Sequence, residues 1–96
     1  MFEPLLSYLI SPTHELVILA SELRWGVFER EFSRLYSETG RPGHPIRRMV
    51  GFLIIKQLYN LSDENVVARW VENPYWQHFT GEVYFQYVAP FDPSEL

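Results

Sequence analysis

The stretch His44-Pro45-Ile46-Arg47-Arg48-Met49-Val50-Gly51-Phe52-Leu53-Ile54-Ile55-Lys56-Gln57-Leu58-Tyr59-Asn60-Leu61-Ser62-Asp63-Glu64-Asn65-Val66-Val67-Ala68-Arg69-Trp70-Val71-Glu72-Asn73-Pro74 decides the fold. Pro45 suits the first position of a helix, where its missing N–H costs nothing. From Ile46 to Tyr59 the apolar residues fall almost all round a helix, including Met49, Val50, Phe52, Leu53, Ile54, Ile55, Leu58 and Tyr59. A helix hydrophobic on every side belongs in the centre of a bundle. This one is expected to be the core helix, with Leu53 and Leu58 buried. Asn60-Leu61-Ser62 makes a tight break. Ser62 is a good N-cap, and Asp63 and Glu64 complement the positive end of the next helix. That second helix runs to about Glu72, with Val66, Val67, Trp70 and Val71 inward and Asn65, Arg69 and Glu72 outward. Asn73-Pro74 ends it.

Upstream, Leu5, Leu6, Leu9 and Ile10 suggest a short apolar turn stopped by Ser11-Pro12. Thr13 is the expected cap of a helix beginning at His14, whose Leu16, Leu19, Ala20 and Leu23 form a helical stripe. Trp25, Phe28, Phe32, Leu35 and Tyr36 form the apolar face of another helix, with Glu29, Arg30, Glu31, Ser33 and Arg34 opposite. Residues 40–45, Gly-Arg-Pro-Gly-His-Pro, read as a loop. Downstream, Tyr75 to Phe79 reads as a short aromatic turn closed by Thr80-Gly81. Val83 to Ala89 is β-branched and aromatic, and one strand makes no sheet, so it is expected as an extended arm packed on the bundle. Asp92 caps a further helical turn. The expected fold is all-α: a small bundle of four to five helices with a helix-turn-helix-like hairpin and an extended C-terminal arm, one domain over residues 1–96.

Composition narrows the chemistry. With 47% hydrophobic and 17% aromatic residues, the 96-residue chain has ample material for one core. It contains no cysteine, which excludes disulfides and thiolate metal sites. His14, His44 and His78 are far apart in sequence and lack metal-ligand spacing, so they read as structural or surface residues. Met1-Phe2-Glu3-Pro4 is acidic where a secretion signal would be basic, and the longest apolar run, Val50 to Ile55, is too short to span a bilayer. A cytoplasmic location is expected, at the bacterial nucleoid once a DNA partner is considered. The net charge of −4 is unevenly spread: −3 over residues 1–38, +4 over 39–62 and −5 over 63–96. One basic segment thus lies between two acidic ones, an asymmetric footprint.

Most of the chain resembles the N-terminal domain of InsH-type insertion-sequence transposases. The words that carry the resemblance are Gly40-Arg41-Pro42, His44 to Gly51, Leu58 to Val67, Arg69 to Gly81, Tyr84-Phe85-Gln86 and Pro90-Phe91-Asp92-Pro93-Ser94, with His14-Glu15-Leu16 and Trp25 upstream. The resemblance implies a DDE transposase, a transposable-element protein in which a helical N-terminal region precedes an RNase H-like domain that holds divalent metal on three carboxylates. None of the acids here matches those carboxylates, so no catalytic residue carries over. The chain is expected to be non-catalytic and to need no cofactor itself, while the parent transposase uses a divalent metal such as magnesium. In the family the Phe-Asp-Pro-Ser motif leads into an Arg-rich helix, which this chain lacks. The implied partners are double-stranded DNA at transposon terminal repeats, bound weakly by this chain alone, and other transposase subunits in a homodimer.

Several residues stand between a functional reading and a structural one. The hairpin has helix-turn-helix spacing, so Asn65 and Arg69 are candidate base contacts, Asn suiting adenine and Arg guanine. Against that, Asp63, Glu64 and Glu72 repel phosphates, and many such hairpins are only architecture. Arg41, Arg47 and Arg48 are candidate phosphate contacts; the alternative is a solvated rim or pairing with acids elsewhere in the domain. Arg47 and Arg48 also stand at a helix N-terminus, an unfavourable place for cations. Trp70, Tyr75, Trp76 and Phe79 read either as a stacking platform for unpaired bases or as half of an aromatic core, the latter fitting better. Glu29, Glu31 and the Asp63-Glu64 pair read as solvated faces. The rival to DNA contact is a protein-interaction module that holds transposase subunits together.

Overall fold

The computed structural model describes residues 3–39 and 45–96, with the side chains of 33–39 excepted. Among these residues the fold is all-α. Five helices follow one another: α1 (Glu15–Glu22), α2 (Trp25–Thr39), α3 (Ile46–Leu58), α4 (Asp63–Trp70) and α5 (Pro74–Phe79), with 3₁₀ turns at Leu6–Tyr8 and Pro93–Glu95. Helix α2 packs on α3, α3 on α4, and α1 on α5, while the first and last 3₁₀ turns close on α5 and α4 respectively.

The starts of these helices are chemically specified. Ser62 Oγ accepts the N–H of Asn65, and Asn73 Oδ1 accepts those of Tyr75 and Trp76, with Pro74 supplying the preset first φ of α5. What was expected as an aromatic turn is therefore a capped helix. The cap of α1 is His14 rather than Thr13: its Nδ1 accepts the N–H of Leu16 while its ring stacks on Tyr75 at 3.7 Å. The Thr13 hydroxyl is bonded to that of Ser11 instead. Asp92 forms a full capping box with Glu95.

Helix α3 supplies Met49, Val50, Phe52 and Ile55 to the core, where Phe52 stacks on Trp70 and meets Phe91 at a tilt. Its expected burial on every side is only partly realised. Leu53 is half-buried and Leu58 is 55% exposed, Leu58 lying at the rims of two open surface grooves that α3 forms with α1 and α2. At Gly51 the helix approaches α5 so closely that a Cβ would lie 2.8 Å from Thr80 Cγ2. The α3–α4 turn uses Asn60 at φ 53, a left-handed conformation that asparagine tolerates better than most residues.

The segment after α5 is the expected arm. It makes an isolated antiparallel bridge from Tyr84 to Leu5, flanked by hydrogen bonds from Leu6 N–H to the Val83 carbonyl and from Phe85 N–H to the Pro4 carbonyl. A buried side chain completes its anchorage. Gln77 Oε1 accepts the Gln86 N–H at 2.6 Å, and Gln77 Nε2 donates to the Gln86 and Trp70 carbonyls, both at 3.0 Å. One amide thus engages both backbone groups of Gln86, as a neighbouring strand would.

Candidate nucleic-acid interface

Helix α4 is fixed from one side. Val66, Val67 and Trp70 are buried, and Trp70 Nε1 donates to Thr80 Oγ1 at 2.8 Å. The opposite side carries Glu64, Asn65, Ala68 and Arg69, all exposed; the helix ends at Trp70, two residues short of the expected Glu72, which lies in the following turn and is also exposed. Asn65 and Arg69 lie four residues apart, one helical turn, and so stand on one face. The geometry brings these two candidates together. It also sets acids beside them: Asp63 and Glu64 line a shallow surface groove with Asp92, Pro93 and Ser94.

The basic segment is arranged otherwise. Arg41 lies outside the described residues. Arg47 turns inward: Nε donates to the Phe79 carbonyl at 3.2 Å and Nη2 to the His78 carbonyl at 3.0 Å. Its guanidinium also lies 4.7 Å from the centre of the Trp25 ring. These contacts join α3, the C-terminus of α5 and the first residue of α2. They also account for a cation at the wrong end of α3. The guanidinium reaches the negative end of α5, where it adds to the Gly81 N–H on the His78 carbonyl and supplies a donor to that of Phe79. Burial lowers the Arg47 pKa, with Glu29 acting in the opposite sense. The neighbouring His78 is held below the usual histidine value by burial and by the charge of Arg47.

Arg48 donates twice to a single oxygen, Glu82 Oε1, at 3.2 Å from Nε and 2.7 Å from Nη2. Both side chains are largely covered, at 22% and 15% exposure. A phosphate approaching either arginine has to compete with these internal bonds. Lys56 is engaged too, with Nζ 2.6 Å from Asp63 Oδ1. The aromatic stacking platform is not available: Trp70, Trp76 and Phe79 are buried, and Tyr75 is half-covered by its stack with His14. The core reading of these residues holds.

Sequence reasoning missed three features. The inward course of Arg47 and the Gln77 clamp leave no local signal, since their partners are distant and largely backbone. The Lys56–Asp63 pair has a faint one, opposite charges seven residues apart across a predicted turn. A further surface feature is a furrow between α2 and α3, lined by Phe28, Phe32, Val50, Leu53, Ile54, Gln57 and Leu58 and almost wholly apolar. Among the described residues, no group of three or more His, Asp or Glu side chains is arranged to hold a metal ion, and no helix is long and apolar enough to cross a membrane.

Comparison with known proteins places this arrangement in a family. A family model described as "Transposase domain (DUF772)" matches residues 4–96. The chain is 45% identical over 96 residues to a protein of Rhizobium meliloti described as "Uncharacterized protein ORF8 in nfe locus", and it spans all of itself but 46% of that relative's length. No solved structure matches. With a family model covering nearly its whole length, the chain belongs to the DUF772 family of transposase domains.

Proposed function

We propose that the chain is a non-catalytic domain of an insertion-sequence transposase that contributes to DNA binding at transposon ends through the exposed face of α4. The observation that carries this reading is the shared solvent face of Asn65 and Arg69 on a helix whose other side is locked by Val66, Val67 and Trp70. A rigid helix presenting an amide and a guanidinium one turn apart matches the donor and acceptor pattern of major-groove base edges. Arg41 and Arg48 are the phosphate contacts in this reading, Arg48 by exchanging Glu82 for a phosphate. Arg47 serves the fold. The strand-transfer chemistry and its divalent metal belong to an RNase H-like domain of the parent transposase, which works at the bacterial nucleoid.

The test is fluorescence anisotropy with a duplex carrying the terminal repeat of the encoding element and a scrambled duplex, each at two salt concentrations. Asn65→Ala and Arg69→Ala should each weaken binding to the matched duplex by roughly 5- to 150-fold, the range of one good base contact. Binding to the scrambled duplex should change little. Equal affinity of the parent chain for both duplexes, unaltered by either substitution, overturns the reading.

A second reading, an assembly module, is favoured by the apolar furrow between α2 and α3. Its occupant would be a second copy of the chain. Concentration-dependent mass in sedimentation, abolished by Leu58→Glu with no loss of DNA affinity, would favour this reading over the first.

A further inference from the structure

Lys56 lies in the last turn of α3 and Asp63 opens α4, so their 2.6 Å pair spans the hairpin turn. The turn has other means of closure. Asn60 is left-handed, Leu61 N–H donates to the Lys56 carbonyl at 2.9 Å, and Ser62 caps α4. The ion pair is partly exposed, 27% at Lys56 and 43% at Asp63, where such pairs contribute little to stability. Its larger consequence is electrostatic. The first turn of α4 carries two adjacent carboxylates, Asp63 and Glu64, and Asp92 borders the same groove. At the helical rise of about 1.5 Å per residue, Asp63 stands roughly 3 Å along the axis from Asn65 and 9 Å from Arg69. Because the helix is about 10 Å across and these residues lie on different sides of it, the charges are roughly a Debye length or more apart at physiological salt and well within it at low salt.

We propose that Lys56 is a positioning residue for the α4 face that acts through Asp63: by pairing with it, Lys56 cancels one of the carboxylates that would hold Asn65 and Arg69 away from a phosphate backbone. The proposal rests on α4 being the DNA face. Its signature is a pair of opposite effects. Losing Lys56 leaves the pair site at −1, losing the Asp63 charge leaves it at +1, and losing both returns it to zero.

The experiment measures affinity for the same matched and scrambled duplexes at low salt, using the whole chain as Lys56→Met, Asp63→Asn and the double variant, with thermal melts alongside. Lys56→Met should weaken binding to both duplexes by roughly two- to fivefold, and Asp63→Asn should strengthen it by a similar factor. The double variant should bind like the parent. These shifts should shrink at high salt while the melts stay close together. Weakening by both single variants marks the pair as a purely structural tie and overturns the proposal. A double variant as weak as Lys56→Met makes Lys56 a direct phosphate contact, which also overturns it. In both cases a matched-over-scrambled preference in the parent leaves the α4 reading standing. A parent chain that binds neither duplex overturns both.

Discussion

Gly51→Ala sets two familiar effects against each other. In an exposed helix interior the change should stabilise by about 1 kcal/mol, because glycine has more backbone freedom to lose on folding. At Gly51 the new Cβ would meet Thr80 Cγ2 at 2.8 Å and Thr80 Cα at 3.1 Å. Thr80 is poorly able to move. It is 2% exposed, and its Oγ1 accepts from Trp70 Nε1 and lies 3.1 Å and 3.0 Å from the Trp76 and Gln77 carbonyls, to which it donates. Rotating the methyl away breaks that node, and shifting the backbone separates α3 from α5. Overpacking of this kind costs about 1–3 kcal/mol, enough to cancel or outweigh the propensity gain. The expected net effect is a loss of up to about 2 kcal/mol, or a melting temperature up to roughly 16 °C lower for a domain this size. Circular-dichroism melts measure it directly. Gly26→Ala is the control, since among the described residues no atom beyond its chain neighbours and its own helix backbone lies within 4 Å of its Cβ position, and it should match or exceed the parent. Thr80→Ser removes the methyl and keeps the hydroxyl, so combined with Gly51→Ala it should recover part of the loss. A Gly51→Ala protein melting above the parent temperature would refute the close-approach argument.

Three further predictions concern the fold and its charges. Arg47→Ala should destabilise by about 1–3 kcal/mol, because it leaves the Phe79 carbonyl without its side-chain donor, takes one donor from the His78 carbonyl (which keeps the Gly81 N–H) and uncovers Trp25, whereas a solvated arginine would be nearly neutral; urea unfolding distinguishes the two. Ile55→Ala should cost about 2–5 kcal/mol and Leu58→Ala far less, since Ile55 is fully buried and Leu58 is mostly exposed; equal midpoints for the two variants would contradict the packing of α3. His78 has a depressed pKa in the fold, so folding disfavours its protonated form. The stability associated with neutral His78 is complete above the unfolded value of about 6.5 and falls as pH drops through it, levelling below the folded value. His78→Gln should flatten the fall in stability that sets in as pH drops through about 6.5, and an unchanged slope there would assign the effect to other groups.

Much of the architecture was legible in the chain itself because it depends on neighbours. Spacing of Leu16 and Ala20, of Val66, Val67 and Trp70, and the caps at Ser62 and Asp92 are local patterns, and each formed as read. The exposed face of α4 was equally legible, since burying Val66, Val67 and Trp70 leaves Asn65 and Arg69 outside. The aromatic run from Trp70 to Phe79 also declared its core role through sheer apolar bulk.

The charged side chains followed different rules. Arg47 and Arg48 are adjacent in sequence, yet one bonds to carbonyls 31 and 32 residues away and the other to a carboxylate 34 residues away. Nothing in the local pattern separates an arginine that faces solvent from one that caps a distant helix, because a long flexible side chain accepts either fate. Likewise, the nearly continuous hydrophobicity of α3 did not reveal that Leu58 would be left mostly exposed. Local sequence determined where helices begin, end and turn their apolar sides, since those terms act within a few residues. Only the tertiary structure decided which charges remain available to a partner, because ion pairs and backbone caps depend on what the packed helices bring within about 3 Å.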